Sequence, residues 1–126
     1  MSVSSISNQN KANSIAANKE RGSQMLQNRV QQKYPIHEVK TSIVEKLQES
    51  QVICVIGPTG SGKSTQVPQF LLEAGFHSIE IAVPSRTAAI SLAERVAQET
   101  GSPLGELVGY QTAFERSISD NTQILY

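Results

Sequence analysis

The stretch Gln51-Val52-Ile53-Cys54-Val55-Ile56-Gly57-Pro58-Thr59-Gly60-Ser61-Gly62-Lys63-Ser64 decides how this chain folds. Gln51 to Ile56 is a largely apolar, β-branched run, the pattern of a strand buried on both faces of a parallel sheet. Gly57 to Ser64 then fits G-x-x-x-x-G-K-[ST]. In that pattern the backbone N–H groups of a glycine-rich turn point at phosphate oxygens, and the helix that follows presents its positive N-terminus to the same anion. Gly57, Gly60 and Gly62 permit close backbone approach and unusual dihedrals, with Thr59 and Ser61 in the same loop. Lys63 is placed to reach the β and γ phosphates, Ser64 to offer its hydroxyl to Mg²⁺, and Thr65 to assist near the α phosphate. The expectation is a cradle for the phosphates of a nucleoside triphosphate, with Lys63 as the catalytic candidate.

Working outward, Tyr34-Pro35 marks the start of order, and Ile36, Val39, Ile43, Val44 and Leu47 recur at the spacing of an amphipathic helix. After the loop, residues 64–74 read as a helix closed by Gly75, with Pro68 removing one backbone hydrogen bond near its start. Residues 78–83 read as a short strand stopped by Pro84. Residues 87–99 read as a second helix, rich in Ala, Leu and Glu, that ends before Thr100-Gly101. Residues 107–110 and 122–126 are further short strands, separated by the turn-prone stretch 117–121, where Asp120 reads as a solvated or capping residue. Alternating strand and helix predicts an α/β architecture of three layers, α/β/α, around a mainly parallel sheet.

The 126 residues have room for one domain, and 38% hydrophobic content is enough for one core. Residues 1–34 carry five Lys/Arg and one acid, whereas residues 35–126 carry six and ten. A globular part with excess acid argues against a strongly basic nucleic-acid face, though not against a local stripe. Residues 1–33 are rich in Ser, Asn and Gln and read as a disordered or loosely helical leader, leaving 34–126 as the folded part. The single cysteine, Cys54, reads as a small core residue. No run approaches the roughly 18 apolar residues that span a bilayer, and no secretory signal is present. A soluble protein of the cytoplasm or nucleus is expected. The leader lacks the arginines and amphipathic pattern of an organellar transit peptide.

Kinases, transporters, GTPases and helicases all share such a loop, so the loop alone names no reaction. Its extension does more: Gly-Pro-Thr-Gly-Ser-Gly-Lys-Ser-Thr-Gln-Val-Pro-Gln-Phe-Leu-Leu-Glu-Ala-Gly, residues 57–75, resembles motif I of the DEAH-box (DExH) RNA helicases. Pro58 stands where that family has Glu. Residues 82–97, Ala-Val-Pro-Ser-Arg-Thr-Ala-Ala-Ile-Ser-Leu-Ala-Glu-Arg-Val-Ala, resemble motif Ia, T-Q-P-R-R-V-A-A, in the same order. Residues 108–115, Val-Gly-Tyr-Gln-Thr-Ala-Phe-Glu, are similar to V-G-Y-x-I-R-F-E, and 122–126 to the strand before the T-D-G motif.

The resemblance implies the first part of a RecA-like helicase domain over residues 34–126. It implies that Arg95 stacks on the nucleotide base and that Arg86 contacts an RNA phosphate, with DNA as the alternative strand. Ser85 and Ala113 depart from the family by replacing two arginines, and each lost phosphate contact should weaken RNA binding. The sequence ends before the D-E-A-H motif, so a fragment of an ATP-dependent RNA helicase, inactive alone, is expected. The alternative is a non-catalytic nucleotide-binding module or truncated helicase relative that does not hydrolyse. A small-molecule kinase is disfavoured because no lid or substrate-arginine cluster follows.

Overall fold

The computed structural model describes residues 34–126, so the leader expected over 1–33 lies outside the described residues. A 3-10 turn, Pro35–Val39, leads into helix α1, Lys40–Glu49. Then come α2 (Lys63–Glu73), β1 (Ile79–Glu80), α3 (Arg86–Thr100), β2 (Val108–Gln111), β3 (Arg116–Ser117) and β4 (Ile124–Leu125). The strands form one sheet in the order β1-β4-β2-β3. β4 pairs in parallel with both β1 and β2, through Ile79↔Ile124 and Val108↔Ile124. The α/β class with a mainly parallel sheet therefore holds. The short β3, whose Ser117 opens the turn-prone stretch 117–121, pairs antiparallel with β2 through Tyr110↔Ser117 and Gln111↔Arg116.

Helix α3 lies across this sheet on its small residues. Ala89, Ala93, Val96 and Ala97 recur on one helical face and are buried with Ile79, Val108, Ile124 and Tyr126. Alanines at that seam let the helix approach closely. Both ends of α3 are fixed by the residues at its boundaries: Ser85 Oγ accepts from Ala88 N at 3.1 Å, and Gly101 turns left-handed at φ 68°. Ser85, a departure from the family's arginine, is thus an N-cap.

A second cluster, Ile36, Ile43 and Phe70, joins the first turn and α1 to α2. Helix α2 ends as its sequence suggests, with Gly75 at φ 90°, Phe76 N donating to Leu71 O and Gly75 N to Leu72 O. Pro68 inside α2 cannot donate to the carbonyl of Ser64 four residues before it. That carbonyl accepts the Tyr126 hydroxyl instead, at 2.7 Å. Burial raises the Tyr126 pKa far above the usual phenol range, with the Glu99 charge adding to it, so the hydroxyl stays a donor. Tyr126→Phe should lose about 1–3 kcal/mol by orphaning the carbonyl. An unchanged urea midpoint would show the bond to be dispensable.

One expectation fails. Residues 52–56 form no strand, and Cys54 is exposed rather than in the core. Val52 and Ile56 are 84% and 92% exposed, while Ile53 and Val55 pack against the Phe70 cluster. The alternation is that of extended chain with one face covered. No strand pairs with the segment among the described residues, so its backbone edges stay open, and Val52 and Ile56 leave its second face uncovered.

Candidate nucleotide site

The glycine-rich turn stands between the 52–56 segment and the N-terminus of α2. Gly60 and Gly62 have φ of 80° and 92°, left-handed values that favour glycine. Gly62 also lacks room for a side chain, since a Cβ there would meet Gln66 Cγ at 3.0 Å, Ile36 Cγ2 at 3.1 Å and Tyr34 Cβ at 3.1 Å. A Cβ on Gly57 would meet Ser61 Oγ at 3.2 Å. Gly62 caps α2 without any side-chain hydrogen bond, and the first amide of the helix to find a backbone partner is Gln66 N, which donates to Gly62 O at 2.7 Å. The amides of Lys63, Ser64 and Thr65 thus remain as donors at the positive end of an 11-residue helix. These are the requirements of an anion cradle, and the residues present fit a chain of phosphates.

The Lys63 ammonium lies over the loop and donates to Gly57 O at 2.6 Å, Pro58 O at 2.8 Å and Ser61 Oγ at 3.2 Å. Phosphate oxygens at the turn would exchange with these acceptors and carry full charge where the carbonyls do not. Ser64, at the second helical position, is exposed, and its hydroxyl makes no hydrogen bond among the described residues. Thr65 Oγ1 donates to Gly62 O at 3.4 Å and accepts from Gln66 Nε2 at 3.2 Å, which places it in the loop's support.

A cleft of about 510 Å³ runs from residues 59–65 to Leu92, Arg95 and Tyr34. It brings Thr59, Gly60, Ser61, Gly62, Lys63, Ser64 and Thr65 together with Arg95 of α3; Gly57 does not line it, and its carbonyl accepts from Lys63 Nζ. The Arg95 guanidinium donates through Nε to Glu99 Oε1 at 2.7 Å and through Nη2 to Tyr34 Oη at 3.2 Å. The Glu99 hydrogen bond raises the Arg95 pKa against the effect of partial burial. For Glu99 burial opposes the charge, but hydrogen bonds from Arg95, Gln69 and Gln66 outweigh it and hold the carboxyl below the usual range. Tyr34 and Leu92 were not singled out in the sequence, and Tyr34 read there only as the start of order. The signal that could have found Glu99 is its i,i+4 spacing from Arg95.

Arg86 lies elsewhere, at the start of α3, on a cleft of about 340 Å³ formed with Thr112, Ala113 and Phe114. Both its Nε and its Nη2 donate to Glu115 Oε1, at 2.9 and 2.5 Å. Phe114 beside them is 86% exposed. Among the described residues no group of three or more His, Cys, Asp or Glu side chains is placed to hold a metal ion, and no helix is long and apolar enough to cross a membrane.

The model of a protein family described as an AAA domain matches residues 44–125. The chain is 42% identical over 113 residues to the probable ATP-dependent RNA helicase DHR2 of Saccharomyces cerevisiae, covering 86% of this chain and 15% of the relative. It is 49% identical over 92 residues to the probable ATP-dependent RNA helicase DHX34 of Homo sapiens, covering 73% of this chain and 8% of that one. It is also 47% identical over 93 residues to the ATP-dependent RNA helicase HrpA homolog of Haemophilus influenzae, with 71% of this chain and 7% of the relative aligned. The chain thus spans only a small part of the length of these relatives. It belongs to the AAA domain family, and its resemblance to the DEAH-box ATP-dependent RNA helicases holds.

Proposed function

We propose that this chain is the ATP-gripping portion of an ATP-dependent RNA helicase that couples hydrolysis to unwinding or remodelling of RNA. The carrying observation is that one cleft holds a glycine turn with outward amides, the Lys63 ammonium and, across from them, the Arg95 guanidinium. Amides and ammonium suit a triphosphate, and a flat cation suits the face of a base. Ser64 would supply a hydroxyl to Mg²⁺ at the β and γ phosphates, where the ion neutralises charge that develops in phosphoryl transfer. An RNA substrate would place the protein in the cytoplasm or nucleus.

A second reading, a nucleotide-binding module without turnover, is favoured by the state of the cations around Arg86. Ser85 caps a helix, Ala113 carries no charge, and Glu115 holds Arg86 itself. Because the chain covers only a small part of its helicase relatives, phosphate release from ATP by the full-length product of its gene, measured with and without single-stranded RNA, separates the two. RNA-stimulated release supports the helicase reading, and nucleotide binding without release supports the module.

If Arg86 meets RNA, Glu115 competes with phosphate for it. Glu115→Gln should then tighten RNA binding severalfold at low salt and steepen the salt dependence by about one ion. An unchanged affinity in a filter-binding titration would remove Arg86 from the RNA path.

A further inference from the structure

Gln66 and Gln69 are almost fully buried on α2, at 0% and 1% exposure, where an amphipathic helix would ordinarily place apolar residues. Both amides converge on one acceptor of another helix. Gln66 Nε2 donates to Glu99 Oε2 at 2.9 Å and Gln69 Nε2 donates to the same oxygen at 2.8 Å. The other carboxylate oxygen accepts Arg95 Nε at 2.7 Å. Gln66 is fixed in turn: its Oε1 accepts from His37 Nε2 at 3.1 Å, and its Nε2 also reaches Thr65 Oγ1 at 3.2 Å. Glu99 is therefore held on one side by the helix that opens at the phosphate loop and grips, on the other, the arginine across the cleft. The Arg95 side chain is 47% exposed, whereas that of Glu99 is 11% exposed.

We propose that Glu99 is a positioning residue, braced by Gln66 and Gln69, that sets the Arg95 guanidinium as a wall for the nucleotide base. This rests on the nucleotide reading above and extends it from Arg95 to the buried carboxylate behind it. A free arginine carries large side-chain entropy, so a face presented to a base must be held before binding if little is to be lost on binding. Glu99 holds the Nε edge and the Tyr34 hydroxyl the Nη2 edge, so two edges of the guanidinium are fixed beside the cleft.

The test compares ATP with inorganic tripolyphosphate, which shares the phosphates and lacks the base. The wild-type chain should bind both. Glu99→Gln should weaken ATP by about tenfold and leave tripolyphosphate within about twofold. Arg95→Ala should give the same selective loss, and adding Glu99→Gln to it should produce no further change. Equal losses for both ligands, no loss for either, or additive losses in the double variant would overturn the positioning role. Should Glu99→Gln not fold, Arg95→Lys serves, since it keeps the charge but cannot offer both an edge to Glu99 and a face to the cleft. It should show the same ATP-selective loss, and full retention of ATP affinity would overturn the proposal. A wild-type chain that binds neither ligand would instead sink the nucleotide reading itself.

Discussion

Lys63→Ala should abolish most of the affinity for ATP while leaving the fold in place. The ammonium is the one cation over the turn in the described cleft wall apart from Arg95, which stands across from it. Charge-assisted bonds contribute roughly 1.5–3 kcal/mol each, so losing the phosphate contacts should raise Kd by about 100-fold or more. The side chain's present bonds are to two loop carbonyls and Ser61 Oγ, none of them part of either apolar cluster. The melting temperature should accordingly move by less than about 3 °C. A fluorescent-nucleotide titration with unchanged Kd would end the assignment of residues 57–64 as a phosphate loop, whereas a collapsed melt would mean that the lysine is structural.

The largest effect on stability is expected at Phe70. Its side chain is 1% exposed and forms the centre of the cluster with Ile36 and Ile43. The His37 ring packs against it at 5.4 Å between centroids, and Lys40 Nζ lies 5.2 Å from its centroid. Because Phe70 belongs to α2, the same contact fastens the first turn, with Tyr34 and His37, beside the phosphate loop. Phe70→Ala removes a ring that no neighbour can replace and should cost about 3–5 kcal/mol, a large share of the 5–15 kcal/mol that holds a typical domain. Thermal unfolding followed by circular dichroism should drop by more than about 10 °C. A shift of less than about 2 °C would show that this layer is not what secures the loop.

The legible and illegible parts of this chain divide along a physical line. Local chemistry could be read directly: G-x-x-x-x-G-K-S at 57–64 states its own backbone needs, and the C-terminal ends of α2 and α3 are signalled by Gly75 and Gly101, whereas the Ser85 cap of α3 emerges only in the structure. The spans of α2 and α3 match to within one residue for the same reason, whereas the helix read from Ile36 opens as a 3-10 turn over Pro35–Val39 and becomes α-helical only at Lys40. The run 52–56 misled because a β-branched apolar stretch reports a tendency to be buried, while burial on two faces also needs neighbours on both sides. Only Ile53 and Val55 find them among the described residues. Side-chain relays between distant segments were invisible. Nothing in the letters Gln66, Gln69 and Glu99 ties them across 33 and 30 positions, and the bond from Tyr126 to the Ser64 carbonyl, which replaces the donor missing at Pro68, spans 62. The buried Gln69 Oε1, which has no hydrogen-bond partner among the described residues, is equally beyond reach of the sequence.

The most direct measurement of the central claim is an amide-shift titration of the isotopically labelled chain with ATP and Mg²⁺. The cradle predicts the largest changes at the amides of Gly57 and of residues 59–65, where the turn and the first amides of α2 meet the phosphates, together with the Arg95 side chain. Changes confined to other surfaces, or none at a saturating concentration, would contradict it.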